Sequence, residues 1–151
     1  MLARYFAYGS NMDAARVEQR GLRVVDRYAA TLLDHQLIFD KIAGDQAAAG
    51  HANVIRAPGE QVEGVLYDLV AASEILKMDP FERAPVNYTR EAVALQVGAR
   101  TRWAWTYFAN RARRRAGLRP TRAYLNHLLA GCDLLSDEYC AYLQAVECVQ
   151  P

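Results

Sequence analysis

The chain has 151 residues, 52% hydrophobic and 23% charged, with 18 basic against 17 acidic side chains for a net charge of +1. That length matches one domain of the usual ~100–200 residues, able to bury roughly 68–70% of its unfolded surface. The balance excludes wholesale disorder, a collagen-like repeat and a coiled coil, and no apolar run reaches the ~18 residues of a membrane-spanning helix. Met1 to Tyr5 lacks a basic region followed by an apolar stretch, so no signal peptide is read and a cytoplasmic location is expected. All but two of the basic residues are Arg, which fits a GC-rich bacterial genome. The three cysteines, Cys132, Cys140 and Cys148, match no metal spacing and are expected to be reduced, structural thiols.

Leu2 to Tyr8 is an aromatic-rich run stopped by Gly9 and reads as a buried first strand. Asn11 to Arg20 follows as a helix, with Ser10 in the N-cap position and Asp13 three residues on, an approximate capping box. Val24 to Phe39 predicts one or two strands, and Ala43 to Gly50 a flexible loop of small residues. Asn53 to Arg56 and Val62 to Val70 read as strands flanking a Pro58-Gly59 turn. Ala71 to Met78 is a short helix ended by Pro80. Tyr88 to Val97 and Arg102 to Ala109 form a hairpin across Gly98. Two amphipathic helices close the chain, Thr121 to Ala130, with Thr121 as N-cap and Gly131 at its end, and Ser136 to Val146. The class is α+β, one domain over residues 1–151.

Two places carry candidate chemistry. A strand ending in Tyr8-Gly9 and leading through Ser10-Asn11 into a helix presents backbone N–H groups at a positive helix end, suited to a carboxylate or phosphate. On those residues alone an ordinary capped turn is the simpler account. No GxGxxG or GxxxxGK[ST] indicates a nucleotide. The second place is Met78-Asp79-Pro80-Phe81-Glu82-Arg83, where Phe81 beside Glu82 offers an apolar neighbour that would raise a carboxyl pKa towards that of a general base. Asp79 and Glu82 are spaced for an acid pair, although Asp79 also suits capping a turn at Pro80. His35, His51 and His127 are dispersed and read as surface or core histidines; no metal site and no GxSxG elbow is present. Ala92 to Cys132 contains no acid but eight arginines, and its Arg111–Arg122 part reads as a solvated basic loop. That segment also suits contact with nucleic acid or an acidic partner, although it lacks the interleaved aromatics of a stacking platform.

Together these signals become specific. Tyr5-Phe6-Ala7-Tyr8-Gly9-Ser10-Asn11-Met12 resembles the YxAYGSNx signature of the γ-glutamylcyclotransferase-like family. Gly64-Val65-Leu66-Tyr67, Met78 to Glu82, and Tyr88-Thr89-Arg90 with Val93 resemble its further strand and turn motifs, and the closing helices extend the likeness over nearly the whole chain. The resemblance implies a mixed β-barrel with flanking helices and a cavity where the YGSN loop faces the turn glutamate. It implies Glu82 as general acid/base, Tyr8, Gly9, Ser10 and Asn11 holding a substrate α-carboxylate, and Tyr88 lining the pocket. It implies a cofactor-independent, metal-free release of 5-oxoproline from a small-molecule γ-glutamyl amide, with no membrane partner and nucleic acid not expected. Many members have Gly after the glutamate where this chain has Arg83, which puts the loop shape and leaving-group preference at issue. The Arg-rich segment suggests an acidic or carrier-linked substrate. Two other readings stand beside the enzyme: a non-catalytic binder of a small carboxylate on the same fold, and an interaction protein using Arg111–Arg122.

Overall fold

Two long strands joined as a hairpin set the architecture. In the computed structural model, which describes residues 2–44 and 46–150, they are β2 (Val24–Ala43) and β3 (Gln46–Leu69). With β1 (Arg4–Ala7), β4 (Tyr88–Val97) and β5 (Arg100–Ala109) they close a barrel in the order β1-β3-β2-β4-β5. β1 lies antiparallel to β3, with Phe6 opposite Leu66, and parallel to β5, with Tyr5 opposite Trp105. Closure pairs strand edges that would otherwise be exposed. Three short helices flank the barrel: α1 (Ala14–Gln19), α2 (Arg122–Leu129) and α3 (Asp137–Gln144). The α+β class is the one read from the residue patterns, and the barrel with flanking helices is the one the resemblance implied.

The sequence shows why β1 and β3 sit at the centre. Val65, Leu66 and Tyr67 are each at most 1% exposed, and Tyr5, Phe6 and Ala7 are buried in succession, so where the two strands pair these segments have no wet face. Gly64 makes their contact close: a Cβ there would lie 2.5 Å from the Ala7 carbonyl oxygen and 2.6 Å from the Phe6 ring.

Several elements differ from the sequence reading. Pro58-Gly59 does not turn the chain; β3 runs through it. Gly59 (φ +84) faces Asp34 (φ 60) at a register shift between Leu33 and His35, and its N–H donates to Asp34 Oδ1 at 3.0 Å. Pro58 lies where the ladder is already interrupted, so its missing N–H breaks no bond. Ala43 to Gly50 is the hairpin tip rather than a loop, with Ala43 opposite Gln46 and Ile42 opposite Gly50; Asp45 lies outside the described residues. Ser10 does not cap a helix. Ser10–Met12 is a single 3-10 turn, and Asp13 caps α1 by accepting from the Ala15 N–H at 3.1 Å. Ala72–Lys77 is likewise a 3-10 segment. Thr121 and Ser136 cap α2 and α3, accepting from the N–H groups of Tyr124 (3.1 Å) and Tyr139 (3.2 Å).

Two surface expectations also change. Cys132 and Cys140 form a disulfide with Cα atoms 5.8 Å apart, and Cys148 is free. The turn after α2 folds α3 back onto it, which spacing in sequence does not reveal. The basic segment is a strap docked on the hairpin tip: Lys41 bridges to Arg114 and Ala49 to Arg119, Arg115 N–H donates to the Asp40 carbonyl at 2.8 Å, and Arg114 Nε lies 2.6 Å from Asp40 Oδ2. Among the described residues no helix is long and apolar enough to cross a membrane.

Candidate active site

β1 delivers Tyr8 and Gly9 to one end of the barrel, and the 3-10 turn that follows carries Ser10 and Asn11 around its rim. The chain between Met78 and Tyr88 arrives beside them. It is a run of tight turns, with Glu82 N–H bonded to the Met78 carbonyl at 3.1 Å and Arg83 N–H to that of Pro80 at 3.1 Å. Its anchor is Asp79, which meets Arg90 through two bonds (2.9 and 3.2 Å) and accepts from the Tyr107 hydroxyl at 2.6 Å. Asp79 therefore holds the turn to β4 and β5 and forms no acid pair with Glu82. Arg90 also stacks on Trp105, 4.4 Å from the ring centroid.

All six candidate residues, Tyr8, Gly9, Ser10, Asn11, Glu82 and Tyr88, line one cavity of about 240 Å³. Asn11 is its hub and is 3% exposed. Its side-chain N–H groups donate to Glu82 Oε1 at 3.1 Å and to the Tyr5 hydroxyl at 2.8 Å. Its Oδ1 accepts from Arg20 at 3.0 Å, and its carbonyl from the Tyr67 hydroxyl at 2.7 Å. The amide of Asn11 thus orients the glutamate. The hydroxyl of Tyr8 donates to the Tyr107 carbonyl and that of Tyr88 to the Ala52 carbonyl at 2.8 Å, so both rings are pinned by other residues of the cavity wall.

Burial raises the Glu82 carboxyl above its ordinary value, opposed by Arg20, Lys41 and Arg16 and by the Asn11 bond. The neighbour expected to do this, Phe81, is 49% exposed and instead carries the Arg20 guanidinium 4.9 Å from its ring centroid. Desolvation comes from the cavity walls. Burial also pushes Tyr5, Tyr8 and Tyr88 well above the usual tyrosine value, and Tyr124 to about 12, so these hydroxyls stay neutral.

The sequence reading missed much of the lining. Arg16, Arg20, Lys41, His51, Arg83 and Tyr124 all reach it. Arg16 and Arg20 are one helical turn apart, and that i,i+4 spacing could have placed them on one face. Lys41 and His51 are direct cross-strand partners, which only the hairpin register discloses. His51 stacks on Tyr124 with centroids 4.4 Å apart, and burial, reinforced by Lys41 and the two arginines, lowers its pKa to about 4. It is neutral at pH 7. Arg83 occupies a left-handed backbone position (φ 49) that glycine adopts freely and other residues adopt at a cost. None of the arginines between 111 and 122 lines the cavity. Among the described residues no cluster of His, Cys, Asp and Glu could hold a metal ion.

Comparison with known proteins agrees with this architecture. A structure titled gamma-glutamyl cyclotransferase superposes with a TM-score of 0.85 at 22% identity, covering 98% of this chain and 89% of its own. An uncharacterized protein from Homo sapiens gives 0.86 at 23% identity, covering 98% and 89%. YkqA from Bacillus subtilis gives 0.76 at 25% identity, with 97% of this chain covered and 55% of the other. Among curated proteins no sequence matches. The family model described as gamma-glutamyl cyclotransferase, AIG2-like, matches residues 5–126, most of the chain and both halves of the cavity, and the protein belongs to that family.

Proposed function

We propose that the protein is a γ-glutamyl cyclotransferase that converts a γ-glutamyl amide to 5-oxoproline and a free amine. The observation that carries this reading is a desolvated glutamate, held by Asn11, that lines one cavity with the Tyr8–Asn11 loop. A γ-glutamyl amide contains its own nucleophile. Its α-amine attacks the γ-carbonyl carbon to form a five-membered ring, the amide C–N bond breaks, and the departing nitrogen takes a proton. No covalent enzyme intermediate is needed.

The chain supplies what that reaction asks for. The backbone of Gly9, Ser10 and Asn11 holds the α-carboxylate, which turns the amine towards the carbonyl; such positioning is worth up to ~7–11 kcal/mol in ideal intramolecular cases. Tyr8 and Tyr88 close the walls. Glu82, ionised, accepts the proton that the attacking amine releases and passes it to the leaving nitrogen. Its raised pKa makes it a better base than a solvated carboxylate. Nearby donors aimed at the carbonyl oxygen would stabilise the developing oxyanion.

The test is incubation with a panel of γ-glutamyl amides and detection of 5-oxoproline by mass spectrometry. Release is expected from at least one, with Glu82→Gln lowering kcat by about 10²–10⁴-fold, the usual contribution of a general base, while the variant remains folded and binds the amide. Near-wild-type turnover in Glu82→Gln would refute the mechanism.

A further inference from the structure

The cavity carries a charge that the γ-glutamyl group leaves unbalanced. Arg16, Arg20, Lys41 and Arg83 line it, and they come from α1, the hairpin tip and the Glu82 turn; Glu82 is the single acid in the lining. Among the described residues none of the four cations lies within 4.0 Å of a carboxylate. Elsewhere several cations are matched by an acid: Asp79 meets Arg90, Asp40 meets Arg114, and Glu74 meets both Arg23 and Lys77.

Two of these cations are built in. Lys41 is 5% exposed, with its ammonium 5.7 Å from the Tyr88 ring centroid, and a buried ammonium with no carboxylate in direct ion-pair contact is uncommon. Arg16 has a buried Nε with no hydrogen-bond partner, while its terminal nitrogen meets His127 Nε2 at 3.4 Å and His127 Nδ1 meets Asp13 at 2.8 Å. An orphaned buried donor on a fixed side chain at a cavity wall calls for an acceptor from a ligand. Arg83 adds a guanidinium from a left-handed backbone position. The neutral His51 between them contributes no charge of its own.

On the cyclotransferase reading, Glu82 and the substrate α-carboxylate balance two of the four cations. Two positive charges of the lining remain for the leaving amine to meet. We propose that the preferred leaving amine bears two carboxylates, so that the substrates are γ-glutamyl amides of amino dicarboxylic acids. A neutral alkylamine offers these cations nothing, and a lysine joined through its ε-amine brings an ammonium with its carboxylate.

The full chain is to be assayed with γ-glutamyl-glutamate and γ-glutamyl-aspartate, γ-glutamyl-alanine, γ-glutamyl-methylamide and γ-glutamyl-ε-lysine. The expected kcat/KM for 5-oxoproline falls about tenfold from the dicarboxylates to alanine and again to methylamide and ε-lysine. The spread should narrow in high salt, which screens charge. Arg16→Gln, Lys41→Met and Arg83→Gln should each shrink the ratio of glutamate amide to methylamide. Turnover with equal kcat/KM across the panel, or highest for methylamide, would overturn this inference and leave the cyclotransferase reading intact. No turnover with any amide would refute that reading instead. Calorimetric binding of the same amides then decides the charge preference: tenfold tighter binding of the dicarboxylates upholds it, and equal or absent binding overturns it.

Discussion

Glu82 sits between opposing influences, burial that favours its neutral form and three cations that favour its carboxylate. Burial wins, so the pKa is raised, and each cation limits the rise. The sign of a cation's removal follows. In Lys41→Met the carboxyl loses one stabilising charge and its pKa climbs further. The acidic limb of kcat/KM, where protonation silences the base, should therefore move to higher pH than in the wild type; an unmoved or lowered limb would mean that Lys41 does not act on Glu82. Arg83 shows the same scale from the backbone side. A non-glycine residue at φ 49 costs about 1–2 kcal/mol, which the turn around Asp79 must offset. How legible these residues were depended on contiguity. Tyr8 to Asn11 and Glu82 sit in short strings that can be read directly, whereas Arg16, Lys41 and His51 reach the cavity through a helical face and a strand register that no single string records.

At the scale of elements, patterning located nearly every strand, and the departures occur where geometry interrupts a period. β3 passes through Pro58-Gly59 because a bulge absorbs both residues, so a dipeptide that usually turns a chain here only bends a strand. The helix read from Asn11 splits into a 3-10 turn and α1 because Asp13, not Ser10, supplies the cap. The tightest joint is between β1 and β3. Gly64→Ala should destabilise the fold by about 1–3 kcal/mol, the usual range for overpacking, since the new methyl meets the Ala7 carbonyl and the Phe6 ring. Denaturant unfolding would show this as a lower midpoint at unchanged slope. Thr121 and Ser136 were legible as caps for a local reason: a hydroxyl and the N–H three residues later belong to the same turn.

The whole molecule brings together what the chain keeps apart. Tyr8 and Glu82 are separated in sequence by both long strands of the barrel, and the fold brings their two segments to one cavity. The α2–α3 end is tied by Cys132–Cys140, a link across a sequence separation of 8. A loop of that size restricts the unfolded chain by about 2–3 kcal/mol. Reductant should lower Tm by about 5–10 °C for a chain of this length; an unchanged Tm would show that the disulfide adds nothing to stability. Local patterns and motifs were enough for the α+β class, most of the strands, the barrel implied by the Tyr5–Met12 signature, and the glutamate and loop that line one cavity. These rest on local preferences and contiguous motifs. Only the tertiary structure decided the disulfide, the docking of the basic strap on the hairpin, the bond from Asn11 to Glu82 and the four cations of the cavity. The disulfide depends on α3 folding back onto α2; the others depend on how helix faces, strand register and barrel closure join residues tens of positions apart, and no local pattern encodes which distant partner a side chain will meet.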